Sequence, residues 1–178
     1  GALTSITAWR FWDWKPQNDR DFTGLSVVSA SNNPSQQNQY SQELRYNYSG
    51  DRLDFVVGLF GFKQRIDTQG LEQQGINASK WNLTGALAGD PSVLAGLTAR
   101  NTQFLKSTSA ALYGQVSWKL TNALTVQPGI RINYDRKEGF YSRVVTTGDG
   151  TLLTCPQPAG SIGAARCGVY QPQTSAPS

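Results

Sequence analysis

Composition and charge already narrow the function of this 178-residue chain, whose length corresponds to about one domain. Sixteen basic and 12 acidic side chains give a net charge of +4, and only 16% of residues are charged, against ~25% in ordinary soluble domains. The lack of histidine excludes His-based triads and His metal sites. The longest apolar run, Phe55 to Phe62, is far shorter than the ~20 residues of a transmembrane helix. Because Lys and Arg are scattered, no nucleic-acid partner is expected.

Alternation of apolar and polar residues predicts five long β-strands. In chain order they span about residues 3–14, 40–48, 53–65, 107–120 and 124–136. Alternation is nearly perfect from Leu124 to Asp135, and the strand continues to about Val145. Its length exceeds the ~5–6 residues of a typical soluble strand and suits a tilted transmembrane strand of ~9–11 residues. The middle of the third strand has apolar residues at both odd and even positions, so its two faces cannot be assigned from the sequence.

The connections between the predicted strands alternate between long and short. The long ones are residues 15–39, 66–105 and the tail 140–178, and the short ones are residues 49–52 and 121–123. In an up-and-down meander every second connection lies at the same end, so the long loops share one end of the sheet. This segregation is typical of outer-membrane barrels. Inside the second long loop, Asp90 before Pro91 predicts an N-cap and a short helix over about residues 91–100.

The two cysteines, Cys155 and Cys167, lie in a Gly- and Pro-rich part of the tail. A metal site is not expected there, because the chain has no histidine and no third cysteine. A disulfide is favoured over two free thiols. It would stabilise the loop by about 2–3 kcal/mol and would imply an oxidising compartment.

The abundant aromatic residues allow two interpretations. They could form a carbohydrate-stacking platform, or they could form girdles at the two membrane–water interfaces, which we favour. Residues 9–14 mark one belt near the long loops, and Tyr46, Tyr48 and Trp118 mark another near the short turns. Trp81 lies in a loop, so it is retained as a candidate for ligand contact.

Charged residues occupy the polar faces of the predicted strands. They are Glu43, Arg45, Lys119, Arg131 and Asp135. They could line a polar lumen that guides a charged substrate, or they could form an ordinary solvated face, and the alternation alone does not decide which face points inward. For the lumen, Glu43, Arg45 and Arg131 are the candidate ligand-binding residues. No nucleophile–base pair or carboxylate pair is visible, so the sequence predicts no enzyme, no catalytic residue, no metal site and no cofactor.

Several blocks of the sequence resemble the barrel region of TonB-dependent outer-membrane receptors, the iron-complex uptake family. The matching blocks are Leu3-Thr-Ser-Ile-Thr-Ala-Trp-Arg10, Tyr40-Ser-Gln-Glu-Leu-Arg45, Asp51 to Phe60, Ala111 to Thr125 and Pro128 to Asp135. Together they cover about residues 3–65 and 107–139, and their order and spacing make the resemblance specific. The long loops resemble nothing in particular.

The resemblance implies an all-β fold, an antiparallel up-and-down meander that forms part of a large transmembrane barrel in the outer membrane. Residues 1–178 would be one partial barrel domain, since such receptors have 22 strands and a plug, and neither the plug nor the energy-coupling box is in this chain. The expectation is an internal piece of a larger receptor. Its partners would be a small-molecule nutrient complex such as a ferric siderophore, outer-membrane lipid, and the rest of the parent barrel with its plug.

By the same resemblance, the role of this segment is to supply wall and surface loops for uptake of a scarce nutrient. Loops 15–39, 66–105 and 140–178 could contact the ligand, but the sequence does not name it. The alternative is a soluble secreted β-sandwich that binds glycans, against which the long strands and the segregated loop lengths count. An eight-stranded pore is disfavoured, because the tail cannot supply three more membrane-length strands.

Overall fold

A computed structural model describes residues 1–18 and 20–175 of the chain. Within these residues the chain forms eight β-strands, two short α-helices and two 3₁₀ turns. The strands are β1 Ala2–Trp14, β2 Val28–Asn32, β3 Ser35–Ser49, β4 Leu53–Gln74, β5 Thr98–Lys119, β6 Thr125–Val126, β7 Gly129–Thr146 and β8 Gln173–Thr174. The helices are α1 Ala78–Asn82 and α2 Ile162–Val169, and the 3₁₀ turns are Gly85–Gly89 and Pro91–Val93.

The strands form one sheet in the order β1-β3-β4-β5-β7-β8. Successive long strands are neighbours, as an up-and-down meander requires. The short strand β2 pairs with β4 and β6 pairs with β5, both antiparallel. Within the described residues the order starts at β1 and finishes at β8, so the sheet is not closed. The predicted fold class, an all-β antiparallel meander forming part of a barrel, is confirmed.

The long strands extend further than the alternation indicates. β4 continues to Gln74 and β5 begins at Thr98, so the connection between them shrinks from the expected 66–105 to residues 75–97. The extra residues are mostly polar, and β2, inside the first long loop, pairs with β4 from Leu71 to Gln74. Backbone pairing of this kind needs no apolar alternation, which explains why the pattern missed it.

The predicted helix over residues 91–100 is wrong beyond its first turn. The cap itself is present, because the Asp90 side chain accepts a hydrogen bond from the Ser92 backbone N–H (2.9 Å) and Pro91 follows it. The helical turn ends at Val93, and Gly96 adopts a left-handed φ of 76° that reverses the chain. From Thr98 the backbone is extended.

The chain divides into two compact units. The first, which we call the strand unit, comprises Gly1–Trp12, Gln37–Ile66 and Leu105–Glu138. The second, the loop unit, comprises Asp13–Gln36, Asp67–Phe104 and Gly139–Ser178.

The loop unit has a small apolar core of its own. Its fully buried side chains include Leu94, Leu97 and Val145. The Sγ atoms of Cys155 and Cys167 are bonded, and Cys167 is buried in the same core. Arg166, on α2, donates from Nε to the Val93 carbonyl oxygen (2.8 Å). These contacts hold α2 against the 3₁₀ turn at residues 91–93.

Candidate functional site

Hydrogen bonds at the turns fix how the strands of the strand unit align. The Gly50 N–H donates to the Leu53 carbonyl (3.1 Å), and the Lys119 N–H donates to the Arg52 carbonyl (2.9 Å). On the other side of β5, Trp118 pairs with Val126. Extended along the strands, this antiparallel register gives each residue a neighbour on every adjacent strand.

One face of the strand unit exposes a row of aliphatic side chains. The register places four of them side by side on β3, β4, β5 and β7. They are Leu44, Leu59, Leu112 and Ile132, with exposed fractions of 43%, 56%, 48% and 61%. In β3 all the large apolar and aromatic residues are exposed, while the intervening polar residues from Gln37 to Asn47 are half-buried. This burial is the reverse of a soluble sheet, in which apolar side chains face the core.

Two aromatic clusters border the same exposed face. In the first, the Trp9 ring stacks on Tyr40 (6.4 Å between centroids) and lies 6.5 Å from Phe11. In the second, Phe55 stacks on Tyr48 (5.3 Å) and lies 5.9 Å from the Tyr46 ring. Six to eight residues of β3 separate Tyr40 from the second cluster, or about 20–27 Å along the strand at ~3.4 Å per residue. That spacing is comparable to the ~25 Å apolar band of outer-membrane barrels.

The opposite face carries a polar cluster built around Tyr113 of β5. The Tyr113 hydroxyl donates a hydrogen bond to Glu43 of β3, reaching across β4. It passes over Gly58, where a Cβ atom would collide with the tyrosine ring, so only glycine leaves the space. The Arg131 guanidinium of β7 lies over the same ring, 5.7 Å from its centroid, within the range of a cation–π interaction.

Arg45 belongs to this polar cluster by register. It lies beside Gly58 on the neighbouring strand, and its Nε is buried without a hydrogen-bond partner among the described residues. The structure therefore brings together Glu43, Arg45 and Arg131, the three lumen candidates of the sequence analysis. Tyr113, the residue that joins them, alternates with the apolar residues of its strand, but the sequence analysis did not single it out, because only the register shows its reach to Glu43.

The loop unit contains a polar cleft of about 460 Å³. It is lined by Asp13, Lys15, Pro16, Gln17, Asn32, Pro34, Gln36, Asp67 and Gln69. Four of these side chains are primary amides, which both donate and accept hydrogen bonds. Lys15 Nζ lies 3.0 Å from the Asp13 carboxylate, so the ammonium group is paired within the cleft. Such a lining suits a ligand rich in hydroxyl and amide groups.

Sequence reasoning missed this cleft as a site. Its residues come from three stretches of chain that are separate in sequence, 13–17, 32–36 and 67–69. The signal that was available is the abundance of Asn and Gln in the loop over residues 15–39, but composition does not indicate which amides converge.

A buried polar network lies in the loop unit. Tyr170 donates from its hydroxyl to Glu72, which also pairs with Arg20. Gln74 donates from Nε2 to the same hydroxyl. Burial raises the pKa of the Tyr170 hydroxyl above its usual value of 10.0, so the group stays protonated at neutral pH.

Two aspartates hold tight turns of the loop unit by accepting backbone hydrogen bonds. Asp21 accepts from the N–H groups of Val28 (2.7 Å) and Thr23 (3.0 Å), which lower its pKa to about 2. Asp149 accepts from the Thr147 hydroxyl and the Thr151 N–H, which also lower its pKa to about 2. Hydrogen bonds of this kind favour the carboxylate over the acid.

Trp81 lies on α1 in the loop unit and is 63% exposed, so its ring is accessible. The disulfide-linked segment also belongs to the loop unit. The ligand-binding candidates thus fall into two groups, the polar cluster in the strand unit and Trp81 in the loop unit.

The described residues contain neither a metal-binding cluster nor a helix able to cross a membrane. No group of three or more Cys, Asp or Glu side chains is arranged to hold a metal ion in that part of the chain. No helix within residues 1–18 and 20–175 combines the length and the apolar character needed to cross a membrane.

A family model described as "TonB dependent receptor-like, beta-barrel" matches residues 3–162. No curated protein matches the chain.

Proposed function

The chain belongs to the TonB-dependent receptor β-barrel family of outer-membrane transporters, and we propose that it supplies wall and surface loops for uptake of a ferric siderophore or a similar scarce nutrient complex. In this proposal the strand unit is the wall and the loop unit makes ligand contacts. Residues 1–178 act as part of one barrel domain, completed by the rest of the receptor and its plug. The segment performs no covalent chemistry.

The observation that carries the proposal is the reversed burial of the strand unit. Leu44, Leu59, Leu112 and Ile132 are exposed, and exposure of such a row to water would be unfavourable by about 25 cal/mol per Å² of apolar area. Contact with lipid removes this cost. A soluble glycan-binding sandwich would need the same row to face a core, so the geometry favours the membrane role.

The polar cluster then faces the lumen of the barrel. Tyr113 connects Glu43 and Arg131 across the four neighbouring strands β3, β4, β5 and β7, which fixes the orientation of these charged groups. Fixed charges of both signs suit the passage of a polar or charged complex, because they offer alternating contacts without holding it tightly. Arg45, whose buried Nε has no protein partner among the described residues, adds a second cation to this cluster.

For initial capture we assign the loop unit. Its amide-rich cleft can form hydrogen bonds with a polar complex, and exposed Trp81 can stack against a flat ring of the ligand. The disulfide between Cys155 and Cys167 would stiffen these loops outside the reducing cytoplasm.

The test measures the accumulation of radioactive iron by host cells that express or lack the protein. The cells are grown under iron limitation and receive the iron as a complex with a single hydroxamate or catecholate siderophore. We expect expressing cells to accumulate iron from at least one complex, and only while the inner membrane is energised. Equal accumulation in both strains from every complex would overturn the siderophore assignment.

A matched pair of variants tests the capture role of Trp81. Trp81→Ala should raise the half-saturating siderophore concentration about 3- to 10-fold, the amount expected for loss of one aromatic contact. Ile76→Ala is the control, because Ile76 is equally exposed (65% against 63%) in the same connection. Equal uptake curves for the two variants would remove Trp81 from the site.

A further inference from the structure

A polar cluster in the loop unit, which we call the Asn101 cluster, joins β5 to β7. Oδ1 of Asn101 accepts hydrogen bonds from the Tyr141 hydroxyl (3.0 Å) and from Nε of Arg143 (2.8 Å). The Arg143 guanidinium also lies over the Tyr141 ring, 5.8 Å from its centroid, within the range of a cation–π interaction. On β4, Gly70 leaves room for this arrangement, since a Cβ atom there would lie 3.2 Å from the Asn101 amide nitrogen. Two contacts therefore orient the guanidinium of Arg143.

The Asn101 cluster belongs to the polar series of its two strands. Asn101 occupies an odd position on β5, as Tyr113 does. Tyr141 and Arg143 occupy odd positions on β7, as Arg131 does. In the proposed function this polar series lines the lumen and the loop unit makes the ligand contacts. Arg143 is half-buried, so its guanidinium is accessible to a ligand that the loop unit holds.

A second arginine and a glutamate lie close to the Asn101 cluster. Arg20 pairs with Glu72, which also accepts the hydrogen bond of the Tyr170 hydroxyl. Burial raises the pKa of that hydroxyl, and the nearby charges of Arg20 and Arg143 oppose the rise. Both guanidinium groups therefore lie near Tyr170. Because Glu72 is engaged by Arg20 and Tyr170, its charge offsets that of Arg20, and the positive charge of Arg143 remains for a ligand.

We propose that Arg143 determines specificity by binding a carboxylate of the transported complex through the terminal nitrogens of its guanidinium. These nitrogens present parallel N–H donors that match the two oxygens of a carboxylate. Because Asn101 already holds Nε, the side chain loses less freedom when the ligand binds. A single cation balances one carboxylate, whereas a phosphate group carries more negative charge than one cation offsets. This inference rests on the proposed function, since it names a chemical group of the complex that is taken up.

The probes are two ferric trihydroxamate complexes that differ only at one end, where the first has a carboxylate and the second a primary amide. Binding to the detergent-solubilised protein from outer membranes is followed by quenching of tryptophan fluorescence. We expect the wild type to bind the carboxylate complex about 10-fold more tightly, the lower end of the range for a hydrogen bond between charged groups, because Arg143 is only half-buried. Arg143→Gln should bind both complexes as the wild type binds the amide, which also shows that the variant is folded.

Arg100→Gln is the matched control. Arg100 precedes Asn101 on β5, so its side chain lies on the opposite face of the strand, and it is exposed. Removing its charge should leave the preference for the carboxylate unchanged. Arg143→Lys keeps the charge without the planar fork and should retain a preference of about threefold. Equal affinities of the wild type for the two complexes would overturn the proposal, and so would a preference that survives in Arg143→Gln.

A second measurement separates this inference from the siderophore assignment. Phenylglyoxal modifies accessible guanidinium groups, and peptide mass spectrometry gives the extent of modification at Arg143. Iron-free citrate should slow this modification, the triamide of citrate should not, and neither should affect Arg100. If neither ferric complex binds but citrate protects Arg143, the siderophore assignment fails and the carboxylate site stands. If citrate protects Arg143 no better than its triamide does, the carboxylate site is wrong.

Discussion

The two compact units of this chain follow opposite rules of burial. In the strand unit Ile132 and its row are exposed, while Glu43, Arg45 and Tyr113 of the polar cluster are half-buried. In the loop unit Leu94 and Leu97 are fully buried in a core of the ordinary kind. The same chain therefore suits two solvents, lipid for the strand unit and water for the loop unit.

The difference shows where stability comes from in each unit. The strand unit gains it from backbone pairing and from lipid around its exposed face. The loop unit encloses few apolar side chains, so it adds a disulfide, the Arg166 hydrogen bonds to the 3₁₀ turn, and aspartate-capped turns. Changes that damage one unit should leave the other folded.

The largest effect is expected from a charge on the apolar face. Leu112→Lys should destabilise the folded barrel by about 2–4 kcal/mol, because a cation near the bilayer midplane is poorly solvated. Gln115→Lys, on the opposite face of the same strand, should cost less than about 0.5 kcal/mol. Urea unfolding of the protein in lipid vesicles measures both. Equal losses of stability in the two variants would mean that lipid does not contact one face of the sheet in preference to the other.

Alternation in the sequence was enough to group these residues on one face, although it did not decide which face points inward. Leu112, Leu124 and Ile132 repeat with period two, and the structure exposes all three. The parity of Leu53, Val57 and Leu59 was hidden, because Phe60 and Phe62 of the same strand are apolar on the covered face. Local pattern cannot resolve a strand whose two faces have the same composition.

The loop unit was much harder to predict from sequence. Ser161 accepts a hydrogen bond from the Ala164 N–H (3.0 Å) and caps α2, a signal that was present in the sequence but was not used. The pairing of β2 with β4 and the convergence of the cleft residues depend on contacts between segments about 40 residues apart. The register that brings Tyr113 to Glu43 is a similar long-range property.

A smaller effect, confined to the loop unit, is expected from removing the disulfide. Cys155→Ser/Cys167→Ser should lower the stability of the loop unit by about 2–3 kcal/mol, because the unfolded chain is no longer constrained by a closed loop. Trypsin cleavage at Arg166 in whole cells should then rise about 30-fold or more, because cleavage follows the population of the open form.

The strand unit provides the internal control for this variant. Its heat-induced gel shift should be unchanged, since no residue of the bond lies in it. If cleavage at Arg166 stayed at the wild-type rate, the disulfide would contribute nothing to the loop unit's stability.

The smallest effect concerns the acid sensitivity of the loop over residues 15–39. Asp21 has a folded pKa of about 2, below its ordinary value of 3.8, so its carboxylate stabilises the turn above about pH 4. That contribution declines as the pH falls from about 4 towards 2, because the acid form no longer accepts the Val28 and Thr23 hydrogen bonds. Pepsin cleavage near exposed Phe22 should therefore accelerate over this interval.

The variant Asp21→Asn isolates that contribution. It should be cleaved near Phe22 faster than the wild type at pH 4 and at about the same rate at pH 2. Comparing variants at one pH cancels the pH dependence of pepsin itself. Asp149→Asn is the matched control, since Asp149 has the same lowered pKa but holds a different turn, and it should leave cleavage near Phe22 unchanged. If the two variants behaved alike, acid would open the loop unit as a whole rather than turn by turn.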